Sequence, residues 1–133
     1  AVLRTKLPHI LDWTSKRIKV AAKYNEMLQG VGDLITPAVR KNSQHSYHLY
    51  VIRTDKRDDL KSYLLDEGIG TAIHYPVALP NMRAYKYLCY SREDFPIASD
   101  FENKILSLPM FPEITEAQIV HVCSSIKSFY LKR

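Results

Sequence analysis

Glycine is scarce in this chain, with four residues in 133, and the seven prolines are scattered. That excludes a collagen-like or low-complexity sequence. Cysteine is scarcer still: Cys89 and Cys123 are too few for a disulfide framework and lack metal-site spacing. Two free thiols in a reducing cytoplasm are the expectation. No uncharged apolar run approaches the ~18 residues of a membrane span, and no charged-then-apolar leader opens the sequence. The motifs G-x-G-x-x-G, P-loop, H-E-x-x-H and G-x-S-x-G are all missing. His45 and His48 are three apart on or near an expected strand, so they face opposite ways and cannot share a metal. What remains is 46% apolar and 25% charged, the balance of an ordinary globular domain, long enough to bury about two-thirds of its unfolded surface.

The net charge of +5 is confined to one segment. Residues 1–23 hold Arg4, Lys6, Lys16, Arg17, Lys19 and Lys23 against Asp12 alone, while the other 110 residues balance 13 basic with 13 acidic groups. The segment lacks the interleaved aromatics of a base-stacking surface. It therefore reads as a solvated helix face rather than a nucleic-acid site, a use that would show as steeply salt-dependent affinity.

Along the chain, residues 1–7 read as an amphipathic helix with no cap or lead-in, which is expected of a piece of a longer protein. A kink at Leu7–Pro8 and a helix through about Gln29 follow, stopped by Gly30. Its apolar face, including Leu3, Leu7, Leu11 and Ala21, is expected to be partly exposed. Residues 30–45 read as loop, with a short edge strand near Ala38–Val39. Ser46–Arg53 reads as a strand apolar on both faces. Asp55–Asp58 opens a helix ending at Gly68, and Thr71–Tyr75 forms a second strand halted by Pro76. Ala84–Tyr90 and Phe95–Lys104 read as helices, and Ile105–Leu108 as a third strand. Thr115 and Gln118 form a capping box, opening a helix with Ile119, Val122, Cys123, Ile126 and Tyr130 on one stripe. The order predicts a single α+β domain over 1–133, with a small antiparallel or mixed sheet, helices mainly on one face, and residues 1–29 as a linking helix segment.

Two histidines are ligand candidates. His74 sits at the end of an expected strand, followed by Tyr75, Pro76 and a proline-restrained loop, where small domains present side chains to ligands. Neighbouring strand residues face opposite ways, so His74 rather than Tyr75 is expected to point into a pocket. His48 lies in an apolar strand beside Tyr47, Tyr50 and Ile52, where a buried ring needs a hydrogen-bond partner. His9 and His121 read as helix-surface residues, and Cys123 as a small hydrophobe on a core stripe. Cys89 has no His neighbour to favour a thiolate.

Four phrases occur in order: Ala1–Leu7, Tyr47-His-Leu-Tyr-Val-Ile-Arg53, Gly68-Ile-Gly-Thr-Ala-Ile-His-Tyr-Pro76 and Ile105-Leu-Ser-Leu-Pro-Met-Phe-Pro112. Together they resemble the C-terminal part of the DegT/DnrJ/EryC1/StrS family of sugar aminotransferases, from Ala1 to about Tyr130. The resemblance implies the small C-terminal domain of a fold-type I enzyme dependent on pyridoxal phosphate. Such an enzyme moves an amino group from glutamate to a keto group on a nucleotide-linked sugar, as a homodimer without nucleic-acid or membrane partners. In that family a larger N-terminal domain supplies the Schiff-base lysine and most phosphate ligands. No lysine here lies in the family's lysine motif, so no catalytic, cofactor or metal residue is assigned, and this chain alone is expected to be inactive. His74, Tyr75 and Pro76 match the family's substrate-side His-Tyr-Pro segment, and His48 matches a recurrent family histidine. Many members follow with Val-Pro-Leu-His where this chain has Val77-Ala-Leu-Pro80, so a second histidine is missing. The alternatives are a sugar dehydratase of the same family and a stand-alone α+β ligand-binding or regulatory module.

Overall fold

A computed structural model describes residues 1–132. The chain opens with α1 (Val2–Lys6), tightens into a 3-10 turn at Leu7–His9, and continues as α2 (Ile10–Leu28). Pro8 sits in that turn, where the amide it lacks is not needed. The helix stops as expected: Gln29 turns extended, and Gly30 takes a φ of +72° that a side chain would oppose. Only the second half of α2 packs. Val20, Ala21, Tyr24 and Leu28 are buried, whereas Leu3 and Leu11 are more than 80% exposed. Ala21 therefore leaves the expected open face and joins the core, because α5 (Glu116–Leu131) covers α2 there. The basic residues nearby are solvated, with Lys16 paired to Asp12 at 2.8 Å and Lys23 to Glu116 at 3.3 Å.

Two strands form the sheet. β1 (Tyr50–Arg53) runs antiparallel to β2 (Ile105–Leu108), with Tyr50 opposite Leu108 and Arg53 opposite Ile105. A single bridge extends it on each side, Ile35 to Arg53 and Ala72 to Ser107. The expected edge strand at Ala38–Val39 is thus absent, its place taken by Ile35. The first strand is also shorter than expected. Tyr47 has a φ of +47°, outside strand geometry, and its amide donates to Nδ1 of His45 at 2.8 Å. β1 is not buried on both faces either: Tyr50 and Ile52 point into the core, while Val51 and Arg53 are half-covered. Thr71–Tyr75 reduces to the one rung at Ala72, since Gly70 and Pro76 leave little chain for a ladder.

The helices complete the layer. α3 (Arg57–Asp66) buries Leu60 and Leu64, and α4 (Pro96–Phe101) is shorter than the Phe95–Lys104 expectation. Arg83–Leu88 is a 3-10 helix in place of an α-helix over Ala84–Tyr90. The Thr115–Gln118 capping box forms, with the Gln118 amide donating to Thr115 Oγ1 at 3.3 Å. α5 buries Ile119, Val122, Cys123, Ile126 and Phe129. Phe129 rather than Tyr130 fills the core, because the Tyr130 hydroxyl turns to Asp33 and Thr54. Burial pushes the Cys123 thiol up to about 11, in keeping with an inert core residue. Every described buried apolar residue lies at or before Ile69, or at or after Leu106. No helix of the described residues is long and apolar enough to cross a membrane.

Candidate functional site

The edge beyond Ala72 is built by one serine. Ser107 exchanges both backbone bonds with Ala72, at 3.2 and 2.7 Å, and its buried hydroxyl lies 2.8 Å from His74 Nδ1. His74 is half-buried, and Tyr75 follows through a cis peptide, 73% exposed. The two rings meet edge to face, 5.6 Å between centroids. Beyond them a cavity of about 510 Å³ opens, lined by Tyr75, Pro76, Leu79, Met82, Phe101 and Ile105 among others. Tyr75 and Pro76 line this cavity and His74 does not, the reverse of the expected orientation. The His74 imidazole is instead tied to the Ser107 hydroxyl.

His48 is not brought to this edge. It lies at an exposed bend before β1, not inside an apolar strand. His74 is tied to Ser107 near the Ala72 bridge, whereas residue 48 precedes β1 and lies past the Tyr50–Leu108 end. His121 is exposed on α5, with Nε2 at 3.2 Å from the Glu67 carbonyl.

Sequence reasoning missed a polar cluster under the loop that follows Pro76. Glu102 Oε1 accepts from the Ala78 amide at 2.8 Å and from Asn81 Nδ2 at 2.6 Å, and Oε2 pairs with Arg92. Burial alone would push this carboxyl up. The bonds from Asn81, the Ala78 amide and Arg92 outweigh it and hold Glu102 below the usual carboxylate range. The signal available was the i, i+3 spacing of Ser99 on α4 and Glu102 at its C-terminal cap, with nothing to say that a loop would cover them.

A second, larger cavity of about 760 Å³ lies between the Gly30–Asp33 loop and the end of α5. Its Asp33 carboxylate is already committed. Asp33 Oδ1 accepts from the Thr54 hydroxyl at 2.8 Å and the Tyr130 hydroxyl at 2.5 Å, and Oδ2 accepts from the Asp55 amide at 2.7 Å. This is a staple joining loop, strand end and helix.

Two of the lysines and the buried glutamate are poorly suited to a pyridoxal phosphate site. Such a site needs a lysine amine whose proton is readily lost. Lys16 and Lys104 are displaced the other way: the bond to Asp12 raises the first, and bonds to Asp100 and Asp55 raise the second. The buried carboxylate of Glu102 is already engaged by three donors, the Ala78 amide, Asn81 and Arg92. Among the described residues no three His, Cys, Asp or Glu side chains gather to hold a metal.

These features define an α+β domain with a two-stranded antiparallel sheet under packed helices and one side-chain-bearing edge. Residues 1–127 match the DegT/DnrJ/EryC1/StrS aminotransferase family, and the chain belongs to that family. It is 40% identical over 132 residues to the "Pleiotropic regulatory protein" of Geobacillus stearothermophilus, covering 98% of this chain and 36% of that protein. It is 33% identical over 129 residues to the dTDP-3-amino-3,4,6-trideoxy-alpha-D-glucose transaminase of Streptomyces venezuelae, covering 97% of this chain and 34% of that one. Among solved structures, Streptomyces venezuelae DesV superposes with a TM-score of 0.93 at 32% identity, over 97% of this chain and 35% of that one. The chain thus spans about a third of the length of the relatives it matches.

Proposed function

We propose that this chain is the small C-terminal domain of a pyridoxal-phosphate-dependent sugar aminotransferase that moves an amino group from glutamate to a keto nucleotide-sugar. The observation that carries this reading is the near full-length superposition on DesV, at 32% identity and a TM-score of 0.93. A Streptococcus pneumoniae protein solved in PLP and PMP forms shares the fold alone, at 22% identity. Because no lysine here lies in the family's lysine motif, and Lys16, Lys104 and Glu102 are engaged by other residues, we assign the cofactor site to a larger N-terminal domain. The amino-transfer chemistry is then the cofactor's, and this domain acts on the sugar. His74, Tyr75 and Pro76 form the edge that orients the sugar nucleotide, with His48, ahead of β1, a weaker candidate. The whole enzyme is a cytoplasmic homodimer in this proposal.

The test is an assay of the full-length protein with glutamate and a panel of keto nucleotide-sugars. Appearance of 2-oxoglutarate together with an amino sugar nucleotide is expected. Loss of water from the sugar without amino transfer would instead favour a dehydratase of the same family. No turnover of any sugar, with small-molecule binding by this chain alone, would favour a stand-alone module.

A further inference from the structure

We propose that Glu102 is a positioning residue for the substrate edge, its buried carboxylate holding the Pro76–Met82 loop in place. The assignment rests on reading residues 74–76 as the sugar-facing edge. Between Gly70 and Ile105 the only buried residues are Ser99 and Glu102. Ile73 packs against the core ahead of the edge, but no apolar side chain of residues 76–104 is buried, although they carry most of the cavity wall next to His74. A loop without buried apolar side chains has little to oppose its conformational entropy. Here the polar anchor that reaches the loop at two points is a buried carboxylate.

The geometry is that of a clamp. Glu102 has a side chain 7% exposed. Its Oε1 takes the Ala78 amide at 2.8 Å and Asn81 Nδ2 at 2.6 Å, which pins the loop at two points. Its Oε2 pairs with Arg92, from the segment leading into α4. Asn81 Nδ2 also donates to Ser99 Oγ at 3.1 Å, and that hydroxyl donates to the Arg92 carbonyl at 3.1 Å. The other side of the clamp is fixed as well: Arg57, buried on α3, donates to the Glu102 carbonyl at 3.1 Å. A charge taken out of water is tolerable only when its lone pairs are met by donors. Bonds to an ionised acceptor are also the stronger kind. Ala78 lies two residues past Pro76, so the clamp acts on the backbone immediately following the His74–Pro76 edge. Glu102 also lines the cavity next to His74, and because its carboxylate oxygens are bonded to the loop and to Arg92 it acts through the loop.

The test uses the full-length protein and its Glu102→Gln variant. The amide keeps one oxygen but turns an NH2 group toward Arg92 or the Ala78 amide, where donor would face donor. Hydrogen exchange at the amides of residues 77–82 is expected to quicken about tenfold, the size of one lost charge-assisted bond, with the core helices unchanged. KM for the keto nucleotide-sugar is expected to rise about tenfold, while the glutamate half-reaction stays within about twofold. Unchanged exchange at 77–82 overturns the clamp. Equal damage to both half-reactions overturns the positioning role and leaves Glu102 a general stability residue. Should Glu102→Gln fail to fold, Asn81→Ala removes one arm from the loop side and is read the same way. A wild-type protein without transaminase activity would remove the functional reading, and with it the sugar edge on which the positioning role rests. The exchange data would still decide whether Glu102 holds the loop.

Discussion

Nδ1 of His74 lies 2.8 Å from the hydroxyl of Ser107, the same residue whose backbone pairs with Ala72. One buried serine therefore fixes both the last rung of the sheet edge and the orientation of the ring beyond it. The opposite ring nitrogen, Nε2, is turned away from Ser107 and is the one we assign to the sugar nucleotide. Losing a single hydrogen bond is worth about 0.5–1.5 kcal/mol with a neutral partner and up to about twice that with a charged one. His74→Ala in the full-length enzyme should then lower kcat/KM for the sugar about 3- to 100-fold and spare the glutamate half-reaction. Ser107→Ala should cost less, about 3- to 10-fold, because the ring remains but loses its orientation. Steady-state kinetics on both half-reactions checks this. Wild-type sugar kinetics in His74→Ala would refute it.

Gly32 is a packing requirement. A Cβ there would sit 2.2 Å from a ring carbon of Tyr130, and the φ of +55° opposes any side chain. The ring cannot retreat without giving up its hydroxyl bonds to Asp33 and Thr54. Gly32→Ala should therefore destabilise the fold by about 2–4 kcal/mol, combining overpacking with left-handed strain. Urea denaturation measures it, and a midpoint equal to wild type would show that the loop is not held as described.

Acid should loosen the same staple. Burial tends to push the Asp33 carboxyl up, but bonds from Tyr130, the Asp55 amide and Thr54 bring it below its usual 3.8. A carboxyl whose folded pKa is depressed adds stability above its unfolded pKa, and that stability is lost as pH falls through the folded value. The window is therefore below about pH 4, with Glu102 contributing from its own ordinary 4.5 downward. Asp33 is open to solvent, so the effect is modest. Denaturation midpoints between about pH 3 and 7 should fall less steeply for Asp33→Asn than for wild type. Parallel profiles would mean that Asp33 carries no linkage.

The 133-residue chain mixed with pyridoxal phosphate and treated with borohydride should give only scattered, low-level labelling of lysines. The ammonium groups of Lys16 and Lys104 are stabilised by aspartates, which disfavours the free amine that such a reaction needs. Peptide mapping decides the matter. Stoichiometric labelling of one lysine would place a cofactor site in this domain.

The parts of the fold that were legible in the sequence are those determined locally. Pro8, Gly30 and the Thr115–Gln118 box each act through their own backbone bonds, so each marks its boundary correctly. The strand over Ser46–Leu49 failed because Tyr47 is held at positive φ by His45, a bond that no β-propensity reflects. On α5, Phe129 and Tyr130 are adjacent and both aromatic, and what decides between them is Asp33, far away in sequence. The site divides the same way. His74-Tyr75-Pro76 stood out as a phrase, whereas Glu102 lay just past a short helix with no local sign that residues 76–82 would close over it.

Only one rung joins Ala72 to the sheet, and no ladder bond continues past it. The residues from 73 to 95 are consequently shaped by a few side chains, while the folding core is assembled from the segments on either side. Rewriting the part of that stretch beyond Ile73 is expected to change the cavity wall and leave the buried apolar interior intact. A family built this way can diversify its substrates by exchanging a loop and its anchor together, so Glu102 and Asn81 are positions where covariation between relatives should concentrate.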